Sequence, residues 1–141
     1  MKPTVLLATI CVFSTIADAA EDPKAQFEEL FGDRVTQARA SADRGDDIAL
    51  AELLLEMGGE LEEQKELKVL MYEEACRLAL QDTAGHPLVL DAVKRLATLA
   101  PQRRADWRAY RLSSFRAHYT GSGGKKRVTA GSKYIAELVA A

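Results

Sequence analysis

Five arginines, Arg103, Arg104, Arg108, Arg111 and Arg116, alternate with Trp107, Tyr110, Phe115 and Tyr119 in one short stretch of the chain. Guanidinium groups beside aromatic rings can pair with phosphate or carboxylate and stack on planar groups. The same pattern arises in an amphipathic helix whose rings face a core while its arginines stay in water. Lys125, Lys126 and Arg127 extend the basic character toward the C-terminus. Nucleic acid is not the expected partner, because the whole chain carries a net charge of -2 and its N-terminus reads as an export signal. An anionic envelope polymer or an acidic protein segment suits such a surface.

Other residues capable of chemistry are few and scattered. His86 and His118 are the only histidines, and no HExxH or paired-cysteine spacing accompanies them, so no metal is expected. Cys76 follows Tyr72 by four residues and precedes Ala79 by three, on an apolar helical stripe, where a buried structural thiol is expected. Glu52 with Glu56, and Glu62 with Glu66, share helix faces, and Asp43, Asp46 and Asp47 sit at a turn. Without convergent ligands these carboxylates read as solvated surface and helix caps, not as acid–base pairs or a calcium loop. The Gly121–Lys126 stretch has Tyr119 and Lys126 where a phosphate loop requires Gly and Ser or Thr. Neither catalytic residues nor a cofactor are expected.

The elements that would position these groups begin after residue 19. Lys2 followed by an uncharged apolar run from Val5 to Ile16, ending in Ala17-Asp18-Ala19-Ala20, has the layout of a cleaved signal peptide, residues 1–19, and is too short to span a membrane. Residues 20–141 suffice for one domain with a real core. The expected location is periplasmic or secreted. Only Cys76 survives processing, so no internal disulfide can staple the fold.

Helical periodicity dominates this domain. Asp22 and Pro23 open a first helix to about residue 42, with Gly32 a candidate break; Asp46 is the expected cap of a second to Met57, ended by Gly58-Gly59. That second helix is apolar on nearly every side and is expected to be packed on nearly every side. A third helix is expected to start in the acidic stretch Glu60–Glu66 and to exit at Gly85, a fourth to run from Pro87 to Ala100, a fifth from Pro101 to Tyr119, and a last from about Lys126. Six helices with short connections describe antiparallel neighbours, an all-α fold of stacked helix pairs.

Ile48, Leu50 and Leu53 correspond to Leu88, Leu90 and Val93 at an offset of 40, the spacing of a helical repeat. The alternating helices, the alanines at their crossings and the ending Arg116-Ala117-His118-Tyr119 resemble tetratricopeptide-like repeats of exported bacterial proteins, over residues 44–141. The resemblance implies a binding scaffold, a short right-handed solenoid that holds a protein or peptide. Tyr72, Trp107, Arg108, Tyr110 and Arg111, with Lys125, Lys126 and Arg127, are the candidate contact residues. The last helix stays apolar to Ala140-Ala141, so it is expected to fold back as its own cap or to lead into further sequence.

Charge is separated along the domain. Residues 21–75 hold 16 acids and 6 bases, and residues 76–141 hold 4 acids and 12 bases. Neighbouring helices can neutralise one another inside the fold, or the two halves can drive head-to-tail association into a salt-sensitive homo-oligomer.

Overall fold

The computed structural model describes residues 22–140; the expected signal segment, residues 1–19, lies outside the described residues. Six α-helices account for most of these residues: α1 (Pro23–Ala40), α2 (Arg44–Glu60), α3 (Lys65–Ala79), α4 (His86–Leu99), α5 (Arg104–Gly121) and α6 (Gly124–Val139). Single 3-10 turns, Thr83–Gly85 and Pro101–Arg103, lead into α4 and α5. No strand occurs among the described residues.

Local chemistry explains most boundaries. The Asp22 carboxylate accepts from the Lys24 amide at 3.1 Å and Pro23 fills the first helical position, starting α1. Gly32 leaves α1 unbroken, because Phe27, Phe31, Val35 and Ala38 form one buried stripe on both sides of it. The cap of α2 is Asp43, whose Oδ1 accepts from the Gly45 amide at 2.8 Å, and not Asp46, which lies in the first turn. Gly58 and Gly59 do not end α2. A Cβ on Gly58 would sit 2.5 Å from the Tyr72 ring, so this glycine provides a close approach to α3 inside a continuing helix. Glu62 and Glu63 fall in the connection, and α3 starts only after Gln64, held in the left-handed region at φ 42°.

Each helix packs on the next, and α1 also lies across α3. The enclosed helix is therefore α3, not α2. Residues 71–76 of α3 are all buried, whereas α2 keeps Glu52, Glu56 and Met57 exposed and Ile48 and Leu53 only half-buried. Extent of packing decides burial: α3 packs broadly on α1, α2 and α4, whereas α2 packs broadly on α3 and only lightly on α1 and α4. The offset of 40 likewise does not carry the packing. Forty residues on from the buried Leu50 and Leu54 stand the half-buried Leu90 and the exposed Lys94, while Val89 and Val93 are the buried pair. A shift of 38 residues instead carries the buried Asp47, Ala51, Leu54, Leu55 and Gly58 onto the buried Gly85, Val89, Ala92, Val93 and Leu96, and the residues that suggest 40 mix inner and outer positions.

One main core runs from Phe27 to Trp107 and draws on α1 to α5; no residue of α6 belongs to it. Its corner at the α3–α4 junction is sterically closed, since a Cβ on Gly85 would lie 1.9 Å from the Ala79 carbonyl oxygen. Gly85→Ala is therefore expected to destabilise the fold by more than about 2 kcal/mol, because a backbone atom must move. Gly59→Ala, which meets only the end of the Arg95 side chain at 3.1 Å, should be neutral or stabilising by up to about 1 kcal/mol. Urea unfolding of the two variants side by side checks the contrast.

Candidate functional site

The burial of α3 places two consecutive carboxylates, Glu73 and Glu74, inside the protein at 4 % and 5 % exposure. Buried carboxylates require charged partners, and three elements supply them. Arg103, from the turn before α5, reaches Glu73 at 2.6 Å and also holds Asp106 at 2.9 Å. Arg39, at the end of α1, and Arg77, one turn along α3, both bind Glu74. The Arg103 guanidinium lies over the Trp107 ring, 4.5 Å from its centre, and these charges, together with a π face, hold it at the α4–α5 corner.

These groups line a trough. One cleft of about 560 Å³ is bounded by Phe27, Glu28, Glu74 and Arg77, and a second of about 370 Å³ by Asp22, Lys65, Glu66, Val69 and Gln102. Both share Lys24, Leu70, Glu73 and Arg103, so they are two arms of one depression. Its floor is one stripe of α3, residues 66, 69, 70, 73 and 77, which at helical rise extends about 16 Å. Its walls are the first turns of α1 and the α4–α5 corner. The floor is apolar only at its middle, Val69 and Leu70, and Glu66, Glu73 and Arg77 along it give the open trough charges of both signs.

The residues expected from the sequence to make contacts fall elsewhere. Tyr72, 3 % exposed, is wedged between Gly58 and the Arg95 guanidinium, 5.5 Å from its ring centre. Trp107, 1 % exposed, donates its indole N–H to the Ala100 carbonyl at 2.8 Å, closing the α4–α5 corner. Both are core rings, so neither is an open anchor for a partner. Tyr110 is half-buried and stacks along Trp107. Arg111 pairs with Glu137 and lies over Phe115, and Arg127 lies over Tyr119, so these two arginines fasten α6 to α5. Arg108, Lys125 and Lys126 are exposed. None of the eight lines the trough. A signal for it was present in the sequence as two adjacent acids, Glu73-Glu74, inside an otherwise apolar helical stripe.

Two histidines far apart in sequence come together. His86, the first residue of α4, stacks on His118 of α5 with ring centres 4.5 Å apart, and its Nδ1 lies 2.7 Å from Oγ of the buried Ser114. Burial pushes the His86 pKa below its usual 6.5, aided by the charges of His118 and Lys133, while a hydrogen bond to the Ser114 backbone opposes the shift. Cys76, fully buried, has its pKa pushed up to about 12, first by burial and then by the Glu73 charge, so it stays a thiol. A further cleft of about 530 Å³ is ringed by Arg39, Arg44 and Arg77 over Asp47, whose Oδ2 accepts from Arg44 at 3.0 Å and whose Oδ1 has no protein partner. Among the described residues no three His, Cys, Asp or Glu side chains are grouped to hold a metal ion, and no helix is long and apolar enough to cross a membrane. No protein family, no curated protein and no solved structure matches this chain.

Two expectations follow. Arg103→Met strips Glu73 of its cation and should destabilise the fold by about 2–3 kcal/mol, whereas Arg39→Met leaves Arg77 on Glu74 and should cost about 1 kcal/mol or less; equilibrium unfolding of both ranks them. Because His86 takes up its proton less readily folded than unfolded, stability should fall as pH drops through about 6.5. Melting curves at about pH 7.5 and about pH 5.5 measure that loss, which His118→Gln should reduce by removing a repelling neighbour.

Proposed function

We propose that this chain is an exported helical-repeat scaffold that binds a protein partner by holding an extended segment of it in the trough over α3. The carrying observation is the trough itself, an apolar floor of Val69 and Leu70 edged by Lys24, Lys65 and Arg103 on one hand and Glu28 and Glu66 on the other. At about 3.3 Å per residue, a 16 Å floor accommodates roughly five residues of extended peptide. In this reading α1–α2, α3–α4 and α5–α6 are three stacked pairs of tetratricopeptide-like type, and α1 and α3 with the start of α5 form the inner surface, the face such stacks use for binding. Support comes from the helix-on-next packing and from the position of α1 across α3. The periplasmic or secreted location rests on Lys2, the apolar run Val5–Ile16 and the small residues that follow. No catalysis is part of this reading.

Selection of displayed random peptides on the processed chain tests it. Selected peptides should carry an apolar residue flanked by charge, and Leu70→Arg should weaken them more than about tenfold while leaving the helical signal intact. Arg108→Glu, on the exposed face of α5, should leave binding unchanged. Peptides that bind equally to the Leu70→Arg protein would refute the trough as the site.

A further inference from the structure

We infer that the cleft between the ends of α1 and α3 and the start of α2 is an oxyanion site, selective for a phosphoryl group that still carries a hydroxyl. Hydrogen phosphate is the simplest such ligand. The cleft meets the trough only at Arg77, so its failure and the failure of the scaffold reading are separate outcomes.

Three elements deliver one arginine each to the rim. Arg39 stands in the last turn of α1, Arg44 is the first residue of α2, and Arg77 stands in the last turn of α3. All three side chains are about half exposed, and each is engaged through one nitrogen: Arg39 Nη2 and Arg77 Nη1 on Glu74, Arg44 Nη1 on Asp47. A guanidinium carries several further N–H donors in a fork that matches an oxyanion, so every member of the rim keeps donors free. Arg39 and Arg77 hold the same carboxylate, which keeps their heads within reach of one small ligand. Against these three cations stand Asp47, the one acid in the lining, and Glu74 behind it, so the cleft retains an excess of one positive charge.

The floor sets the selectivity. Asp47 and Leu78 are the buried members of the lining, and Asp47 Oδ1 is the one buried side-chain oxygen among the described residues that has no donor. A carboxylate oxygen closed off from water and left without a donor is strongly unfavourable, so a group that occupies the cleft has to bring a hydrogen to it. The Arg44 side chain beside it, half-exposed and held by its contact to Oδ2, can rotate to admit that group.

Rim and floor together define the ligand. Sulfate satisfies the arginines but has no hydrogen for Asp47 and meets the carboxylate as a like charge. A metal ion or an ammonium group suits Asp47 but is repelled by three guanidinium groups. The P–OH of hydrogen phosphate is an uncharged donor on an anionic body, so one oxygen can donate to Asp47 Oδ1 while the others accept from Arg39, Arg44 and Arg77. A cleft of about 530 Å³ also has room for the remainder of a phosphate monoester. With a second pKa of about 6, such an ester has lost its hydroxyl at neutral pH, whereas inorganic phosphate keeps one.

Titration calorimetry of the processed chain at about pH 7.5 with inorganic phosphate, sulfate and phenyl phosphate reads the outcome. Phosphate should bind at least about tenfold more tightly than either of the others, since a site built around a ligand hydroxyl rejects analogues that lack it. Arg39→Met, in which Arg77 still holds Glu74, should weaken phosphate at least about fivefold with the helical signal intact. Asp47→Asn, whose amide donates as well as accepts, should bring sulfate to within about threefold of phosphate; should that variant unfold, the comparison of anions on the wild type decides alone. Leu70→Arg should leave phosphate binding unchanged. At about pH 5.5 phenyl phosphate regains its hydroxyl, so binding there identifies a phosphate ester as the ligand and its absence the free ion. No heat with phosphate up to about 10 mM overturns the inference and leaves Asp47 to a bound water. Sulfate binding as tightly as phosphate overturns it too, because the rim would then act as an unselective basic patch.

Discussion

The fold depends on the enclosure of α3. Broad packing on α1, α2 and α4 leaves α3 little surface in water, yet its buried middle carries Glu73 and Glu74. Two buried carboxylates oblige the surroundings to bring cations, and Arg39, Arg77 and Arg103 are brought from the end of α1, from α3 itself and from the α4–α5 corner. The ion pairs thereby fix where α1 ends and where α5 begins relative to α3. The open trough is what remains between those two fixed walls, so the same charges that tie the helices together also edge the only long stripe of α3 left accessible to a ligand of this kind.

Arginine does two different jobs along this chain. On the acidic side it neutralises buried carboxylate, and from the α4–α5 corner to α6 it roofs aromatic rings, as Arg103 does over Trp107, Arg111 over Phe115 and Arg127 over Tyr119. A planar guanidinium is suited to both, because it stacks and forks at once. The aromatic half of the alternation is therefore structure: the rings face inward or along the helix hairpin, Arg103 and Arg111 lie on two of them, and Arg104, Arg108 and Arg116 are exposed.

The helices themselves were legible in the sequence. Asp22-Pro23 marks the start of α1, the stripe from Phe27 to Ala38 marks its inner face, and the number and type of elements follow from periodicity alone. What failed was anything that depended on the neighbours of a helix. The density of leucines in α2 suggested full enclosure, but enclosure belongs to α3, whose sequence contains more charge. Gly58-Gly59 reads as a stop because glycine disfavours helix, while the use of Gly58, clearance for the Tyr72 ring, exists only once α3 is packed. Tyr72 and Trp107 have the composition of binding anchors and the position of core, a distinction set by exposure, which a sequence does not carry. His86 and His118 were separate residues until the α4–α5 hairpin stacked them.

The six helices are not equally committed to one another. Five contribute to a continuous core, while α6 is held to α5 by one buried alanine, a stacked tyrosine pair, an ion pair and an arginine over a ring. Opening of α6 therefore exposes little apolar surface and leaves the main core whole, so its free energy is a small local quantity and not the global one. Amide hydrogens of α6 would exchange with solvent long before those of α3. The molecule has a firm end and a loosely held end, and whatever covers the outer side of α6 would bring the two closer to a single cooperative unit.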